Sequence, residues 1–580
     1  MGKLTSARRC DGRPPSVYST KGEPFLEREL LDRLPRVNEA KYDPARRCLN
    51  DTRMAVINEV LDWASGNDAA GTRIFWLHGQ AGAGKSTIAS SIACSLDDAS
   101  RRWLGGSFFF SRDVALRSKI AHVISSIAFQ LSFLHPTITT GIRQALLDDL
   151  DIGHSALSTQ FQKLLRNPLR NADVLGRPVV IILDALDECG TEKDRKSLLG
   201  VIRDSFPHFP AAVKFFITSR PDADIHTAFS SMGSLIRSFD LSSLQREVID
   251  HDIEIFAEAR LKEIAQSYGI SSVAWPGKAT QEALVRQAAG LFQWMSTACD
   301  FIEDDNSDGP EEQLSLILEG CSSPTISSPW KAIDDLYNQV LQQAVSPKTS
   351  LSRITDLREV LGAIVVAGNP LSAACLSGLL NIQPTTYATL TMPVIQRLRK
   401  LRSVLAIPDH EDEVIRIIHP SFTEFLTNPL RCTDLRFFVN ATVHHHNLAM
   451  GCFNVMQKYL RHDICNLGSM PKSNRHIPDL DKRVTRFVPQ ELQYACQFWA
   501  IHLRQSHTED RDLYSRVHQF VYEHLIHWIE ILSLIGMVDG SILSLELAED
   551  WIMVRYHSCS ETTTYNVTLS EIIAKESYYR

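Results

Sequence analysis

Paired cysteines, surplus positive charge, a long apolar run and internal repeats are all missing from this sequence, and each absence closes off a class of protein. The 12 cysteines of the 580-residue chain are scattered, with none in a C-x-x-C pair. That points to reduced thiols packed as small hydrophobes in a cytoplasmic protein, and gives no support for zinc. Acidic residues outnumber basic ones, 68 to 60, for a net charge of −8 and a pI near 6.2. A chain so charged has no general attraction for a polyanion, so nucleic acid is not expected as a partner. The longest uncharged stretch, Val360 to Gln396, is broken at Gly368-Asn369-Pro370, and its apolar part ends near Leu380. A membrane span wants ~20 continuous apolar residues, so two buried helices joined by a turn are expected instead. No secretory h-region follows Met1. No repeat with a period of roughly 20–50 residues is found, which excludes a propeller or recognisable solenoid.

What is present is an ordinary globular composition, 44% hydrophobic and 22% charged, in a length that suggests several domains. Met1-Gly2-Lys3-Leu4-Thr5-Ser6, followed by Arg8, Arg9 and Cys10, fits an N-myristoylation pattern. It also reads as a basic polar tail, and membrane association is expected only if Gly2 is acylated. From Thr52 to Ala64 apolar residues recur at helical spacing. Short continuous apolar runs follow at Arg73–Leu77, Gly106–Phe110, Val179–Leu183, Val213–Ile217 and Ile236–Leu241. Runs of Val, Ile and Phe without alternation suit strands buried on both faces of a parallel sheet, with helices between them. Beyond about Glu247 the strand signal fades. Helical patterns cover Ile253–Ile264, Glu282–Ile302 and Ala332–Ala344, and the chain after Leu351 stays mostly helical.

The clearest chemistry lies in Gly79-Gln80-Ala81-Gly82-Ala83-Gly84-Lys85-Ser86-Thr87, between the first strand and a helix beginning at Lys85. Glycines let the backbone turn tightly and point its N–H groups at phosphate oxygens, and the helix N-terminus adds its dipole. Lys85 is placed to reach the β- and γ-phosphates and the Ser86 hydroxyl to ligate Mg²⁺. ATP or ADP with Mg²⁺ is therefore the expected ligand. Asp184, ending the third run, is the expected second contact to Mg²⁺. Asp187 and Glu188 follow it, and one of them, Glu188 first, is a candidate to orient or deprotonate an attacking water. Tuning the metal or capping the next helix is the alternative for both. Arg220, after the fourth strand, is a candidate reader of the γ-phosphate, with a surface ion pair as its alternative.

These residues resemble the NACHT branch of the STAND P-loop ATPases. The Walker A motif is Gly79–Ser86, the Walker B motif is Ile181-Ile182-Leu183-Asp184-Ala185-Leu186-Asp187-Glu188, and the sensor strand is Phe216-Ile217-Thr218-Ser219-Arg220-Pro221. More narrowly, the chain resembles the large fungal NACHT group with a nephrocystin-3-like N-terminal domain. That likeness rests on Cys48–Arg53, Phe108–Arg112, Gly290–Met295, Ile418–Leu426 and Tyr494–Trp499 with His502-Leu503. The resemblance implies an α/β P-loop domain with a parallel sheet of STAND/AAA-like strand order, followed by an all-α region that includes a winged helix. It implies a tail at 1–47, largely disordered, a nucleotide-binding domain at 48–245, a helical domain at 246–345, a winged helix at 346–430 and a helical region without repeats at 431–580. It implies a switch with slow ATP hydrolysis in intracellular defence or self/non-self recognition, with protein partners and ATP-dependent homo-oligomerisation. It places His419 against the ADP β-phosphate and Arg53 near the adenine, a packed core histidine beside Phe422 being the alternative for His419. Family members usually carry an effector module before the nucleotide-binding domain and WD40, ankyrin or TPR repeats after it. Only about forty-five residues precede Cys48, and the sequence stops at Arg580 without repeats. A shortened paralogue, action in trans or a truncated gene model would each account for that. A nucleotide-stabilised scaffold or decoy that does not hydrolyse ATP is the alternative function. A metabolic kinase is disfavoured by the helical C-terminal half and the lack of a lid pattern.

Two further features read as packing. His444-His445-His446 is expected to lie on a polar helix face, since no acid or cysteine stands near at ligand spacing. Phe498, Trp499, Tyr522 and Trp528 are expected in a helical core.

Overall fold

A computed structural model of the chain describes residues 30–558 apart from short breaks at 67–70, 272–274, 305–308, 321–328, 346–349, 383–392, 469–473, 475–476 and 507–509. Gly2 and the rest of the N-terminal segment lie outside the described residues. Five parallel strands form the central sheet: β1 (Ile74–His78), β2 (Leu104–Phe109), β3 (Val179–Asp184), β4 (Val213–Ser219) and β5 (Ile236–Asp240), in the order β2-β3-β4-β1-β5. This is the α/β P-loop arrangement that the continuous apolar runs and the resemblance implied. β3 and β4 are buried along their whole length, while edge strand β5 is only half-buried.

The sheet separates two cores, because successive side chains of a strand point to opposite faces. Ile74, Trp76, Ile181, Leu183, Phe215 and Ile217 face one, and Phe75, Leu77, Val180, Ile182 and Phe216 face the other. The expected tail at 1–47 is not wholly a tail. Leu31, Leu34, Val37 and Ala40 are buried in the first of these cores, because their apolar spacing finds a surface on the Val123–Leu131 helix. The rest of the expected tail, before residue 30, lies outside the described residues.

Register decides the site. β4 lies between β1 and β3, pairing Leu77 with Thr218, His78 with Ser219 and Leu183 with Ile217. The loop after β1, the acids after β3 and Arg220 after β4 therefore open on the same end of the sheet, where ligands gather in open α/β folds.

After β5 the chain is helical, and one continuous buried cluster runs from Ile253 to Trp551. The Glu282–Ile302 pattern is not one helix. It divides into Lys278–Ala288 and Phe292–Ile302, because Ala289 and Gly290 adopt left-handed backbone between them. The apolar part of the uncharged stretch lies in two helices, Leu351–Val366, which begins before it, and Ala373–Leu379, as expected. A two-residue hairpin, β6 (Leu405–Ala406) with β7 (Arg416–Ile417), precedes the helix Pro420–Thr427. No helix among the described residues is long and apolar enough to cross a membrane.

The histidine run departs from expectation. His444 and His445 are buried, at 4% and 7% exposure, within the helix Ala441–Tyr459. His445 Nδ1 meets His502 Nδ1 at 2.8 Å, and His502 Nε2 meets the Tyr494 hydroxyl at 2.8 Å, which in turn accepts from the Gly368 N–H at 3.0 Å. A chain of partners lets polar rings enter a core that would otherwise reject them. Burial pushes His445 down to about 4 and His502 down to about 3. Both are therefore neutral at physiological pH. Phe498, Trp499 and Trp528 are core residues as read, but Tyr522 is 54% exposed.

Candidate functional site

β1 ends at His78, and the loop after it turns through Gly82 (φ +76°) and Gly84 (φ +86°), left-handed conformations that other residues adopt only with strain. Gly82 is also close to a neighbour, since a Cβ there would stand 3.1 Å from the Cβ of Gln293. The Gln293 N–H donates to the Gly82 carbonyl at 3.4 Å, so the helical region rests directly on the loop. Gly84 caps the helix Lys85–Asp97 without any side-chain cap. The first-turn amides are thus left for an anion, with the helix dipole behind them. Lys85 Nζ folds back to donate to the carbonyls of Gly79 and Gln80, both at 2.8 Å. Burial lowers its pKa, and the charge of Asp187 is the largest influence against that shift. Ser86 is exposed at the loop's mouth, and Thr87 follows, part-buried, with its carbonyl accepting from Ser91.

Asp184 is buried at the end of β3. Thr218 Oγ1 donates to its Oδ1 at 2.6 Å, and the Ser86 hydroxyl hydrogen-bonds it too. Burial raises its pKa against these two bonds and the charge of Lys85. Ser86 and Asp184 thus meet as two hard oxygen donors beside an ammonium, a set that fits Mg²⁺ at a phosphate site.

The chain then turns through left-handed Ala185, whose N–H donates to Thr218 Oγ1 at 3.0 Å. That turn aims Asp187 and Glu188 differently. Asp187 accepts from the Arg220 N–H at 3.0 Å and from Arg220 Nε at 3.2 Å, with Arg112 Nη2 at 3.5 Å. Both its oxygens are engaged by arginine. Among the described residues Glu188 accepts only the Arg112 N–H, at 3.1 Å, and burial followed by the charge of Asp187 pushes it up to about 7.

This shift has a measurable consequence. Between its ordinary value of 4.5 and about 7, Glu188 keeps a proton in the fold that the unfolded chain has lost. The nucleotide-free protein therefore loses stability as pH rises through that window. Glu188→Gln removes the loss, and its stability relative to wild type should grow by on the order of 2 kcal/mol from pH 5 to pH 8, after discounting for partial exposure. Urea unfolding of nucleotide-free protein across that range measures it, and a flat difference would refute the burial argument.

Arg220 reaches away from the sheet as well as along it. Its Nη1 meets Glu424 Oε1 at 2.6 Å, on the helix Pro420–Thr427. His419 caps that helix, its Nδ1 accepting the Ser421 N–H at 3.1 Å. The Ser421 hydroxyl sits 2.7 Å from His419 Nδ1 and 2.7 Å from the Tyr337 hydroxyl. With Nδ1 accepting, the neutral ring carries its proton on Nε2. Burial, then the nearby charges of Arg220 and Lys85, push His419 down to about 3. Arg53 is 4% exposed, donates to the Ala83 carbonyl at 3.2 Å, and lies 4.6 Å over the Phe292 ring with Asp252 4.0 Å from its Nε.

The structure thus gathers Gly79–Thr87, Asp184, Asp187, Glu188, Arg220 and His419 at one end of the sheet, with Arg53 against the back of the loop. Sequence reasoning gave no role to Arg112, Thr218, Glu424, Arg431 or Asp334. The first three lie inside quoted motifs, but nothing local says that Glu424 pairs with an arginine two hundred residues earlier.

Residues 56–220 match the family described as Nephrocystin 3, N-terminal. The vegetative incompatibility protein HET-E-1 of Podospora anserina is 22% identical over 583 aligned positions, which cover 92% of this chain and 40% of that protein. The chain thus spans about two fifths of that relative's length. Among solved structures, the Drosophila ORC bound to GC-rich DNA and Cdc6 aligns at 11% identity with a TM-score of 0.23, covering 95% of this chain and 78% of that one. The Drosophila ORC bound to poly(dA/dT) DNA and Cdc6 aligns at 13% identity with a TM-score of 0.23, covering 93% and 78%. A TM-score at that level carries no argument. The family match and the fungal relative bear out the resemblance read from the motifs: the chain is similar to fungal NACHT-type proteins. A family of this kind implies nucleotide binding with a divalent cation.

Proposed function

We propose that this NACHT-like chain is an ATP/ADP switch that hydrolyses ATP slowly and signals through protein partners in fungal intracellular defence or self/non-self recognition. The observation that carries the reading is the 2.6 Å pairing of Arg220, at the phosphate end of the sheet, with Glu424 on the distant helix Pro420–Thr427 that His419 caps. A metabolic phosphotransferase has no need of such a contact. A switch needs two conformations with different affinities for two nucleotides, and a distant segment touching the phosphate site supplies the difference. The name of the fungal relative, a vegetative incompatibility protein, supports the self/non-self setting.

In this reading the amides of Gly82–Thr87 cradle the phosphates, Lys85 swings from the Gly79 and Gln80 carbonyls onto the β- and γ-phosphates, and His419 donates from Nε2 to the β-phosphate. Ser86 and Asp184 are the residues that would hold Mg²⁺, which when bound neutralises charge on the phosphate oxygens. Glu188, with a pKa near neutrality and one oxygen unengaged among the described residues, is the group that orients or deprotonates water. Asp187 holds Arg220, and Arg53 buttresses the loop on its adenine side. The division into a nucleotide-binding domain at 48–245, a helical domain at 246–345, a winged helix at 346–430 and a helical region at 431–580 belongs to the same reading, as do ATP-dependent self-assembly and a cytoplasmic location.

The test is the nucleotide carried by the purified full chain and its turnover. Co-purifying ADP, slow phosphate release from Mg²⁺-ATP, and a Glu188→Gln variant that retains ATP and elutes as a larger species are expected. Phosphate transfer to a small acceptor would replace the switch with a kinase. Unchanged nucleotide content and function in Lys85→Ala would leave a scaffold.

A further inference from the structure

We propose that Glu424 sets the choice between ADP and ATP, by holding the arginine that a γ-phosphate would otherwise take. The inference rests on the nucleotide-switch reading above and adds a residue that discriminates between the two ligands.

Glu424 is the centre of an ion network. Its Oε1 lies 2.6 Å from Arg220 Nη1 and 3.8 Å from Arg112 Nη1, and its Oε2 lies 3.7 Å from Arg431 Nη1. Arg220 and Arg112 also share Asp187, at 3.2 and 3.5 Å. Arg431 is gripped by both oxygens of Asp334, the shorter contact 2.6 Å, on the helix Pro329–Ala344. Three guanidiniums thus face three carboxylates, and only Glu424 touches all three arginines. The Asp187 and Arg220 side chains are 3% and 20% exposed. A pair so withdrawn from water is stronger than an exposed surface bridge.

Charge balance gives the network its direction. Asp187, Glu424 and Asp334 already neutralise the arginines. A γ-phosphate arriving beside Lys85 adds negative charge where Glu424 already stands against Arg220. Arginine cannot relieve the conflict by losing a proton, and its planar fork offers phosphate the same geometry it offers carboxylate. The γ-phosphate and Glu424 therefore compete for one guanidinium, while ADP leaves the pair intact. Losing Arg220 leaves Glu424 on Arg431, which is fixed to Asp334. The exchange thus loosens the helix Pro420–Thr427, and His419 with it, from the end of the sheet.

The experiment uses the full chain with Mg²⁺ and titrates ADP against a non-hydrolysable ATP analogue. In Glu424→Gln the affinity for the ATP analogue relative to ADP should rise about tenfold, the scale of one charge-assisted contact. A purely structural role would move both affinities together and leave the ratio unchanged. An unchanged ratio with both nucleotides still bound overturns the inference and leaves the switch reading standing. A wild-type chain that binds neither nucleotide overturns both. Should Glu424→Gln fail to fold, Glu424→Asp keeps the charge but draws it back by one methylene. It should shift the ratio in the same direction by a few-fold, and an unchanged ratio there overturns the inference equally.

Discussion

Lys85→Ala is expected to lower the affinity for ADP by at least about a hundredfold, measured by titration of the nucleotide-free full chain. Charge-assisted hydrogen bonds contribute roughly 1.5–3 kcal/mol each, and in the proposed site Lys85 would supply more than one together with the charge nearest the β-phosphate. The same substitution should leave the nucleotide-free fold close to wild-type stability. Burial lowers the pKa of Lys85, so the fold holds its ammonium at a cost while Asp187 only partly offsets it. At neutral pH, removing a group whose folded pKa is depressed relieves that cost. Its bonds to the Gly79 and Gln80 carbonyls are the counterweight, and only the one to exposed Gln80 is readily replaced by water. Loss of binding with an intact unfolding transition is therefore the signature. Retention of ADP within a few-fold of wild type would remove Lys85 from the site.

The site's two ends differ in how far they could be read from sequence. β1, β3 and β4 announce themselves because burial on both faces removes polar residues from both sides of a strand, leaving unbroken runs such as Val179–Leu183. The loop from Gly79 to Ser86 is legible for a related reason. Its glycines are required by the left-handed backbone at Gly82 and Gly84, and that requirement is local. Asp184 follows from its place at the end of a strand.

What could not be read depends on partners remote in sequence. Helical spacing continues through Ala289 and Gly290, so nothing in the apolar period marks the break that seats Gln293 on Gly82. His444 and His445 look like a polar face until Glu359, 3.6 Å from the first, and His502, joined to the second and to Tyr494, supply partners. Asp187 and Glu188 are equivalent as residue types. Only the turn at Ala185 and the reach of Arg220 and Arg112 show that the first is engaged by arginine and the second is left near neutrality. Glu424 is the extreme case, because its meaning lies wholly in Arg112, Arg220 and Arg431.

Asp184→Asn should separate stability from function at a single atom. In the nucleotide-free chain, burial is the dominant influence on Asp184 and raises its pKa. A carboxylate with a raised folded pKa contributes less to stability as pH climbs above its ordinary range, so at pH 7 the ionised group is held at a net cost. The amide is neutral and nearly the same size, and its oxygen can still accept from Thr218, now at 2.6 Å. The variant should accordingly be more stable than wild type without nucleotide, by on the order of 1 kcal/mol, the lower end of what an imperfectly compensated buried polar group costs. With Mg²⁺ and nucleotide the order should reverse. An amide oxygen lacks the charge that a hard divalent cation favours, so the gain in nucleotide affinity on adding Mg²⁺ should fall by about a hundredfold, equivalent to roughly 2.7 kcal/mol. Thermal unfolding with and without Mg²⁺-ADP reads both effects in one comparison. If Asp184→Asn is less stable without ligand, Asp184 is a structural anchor that ties the end of β3 to the end of β4. If the Mg²⁺ gain survives, the cation is held elsewhere.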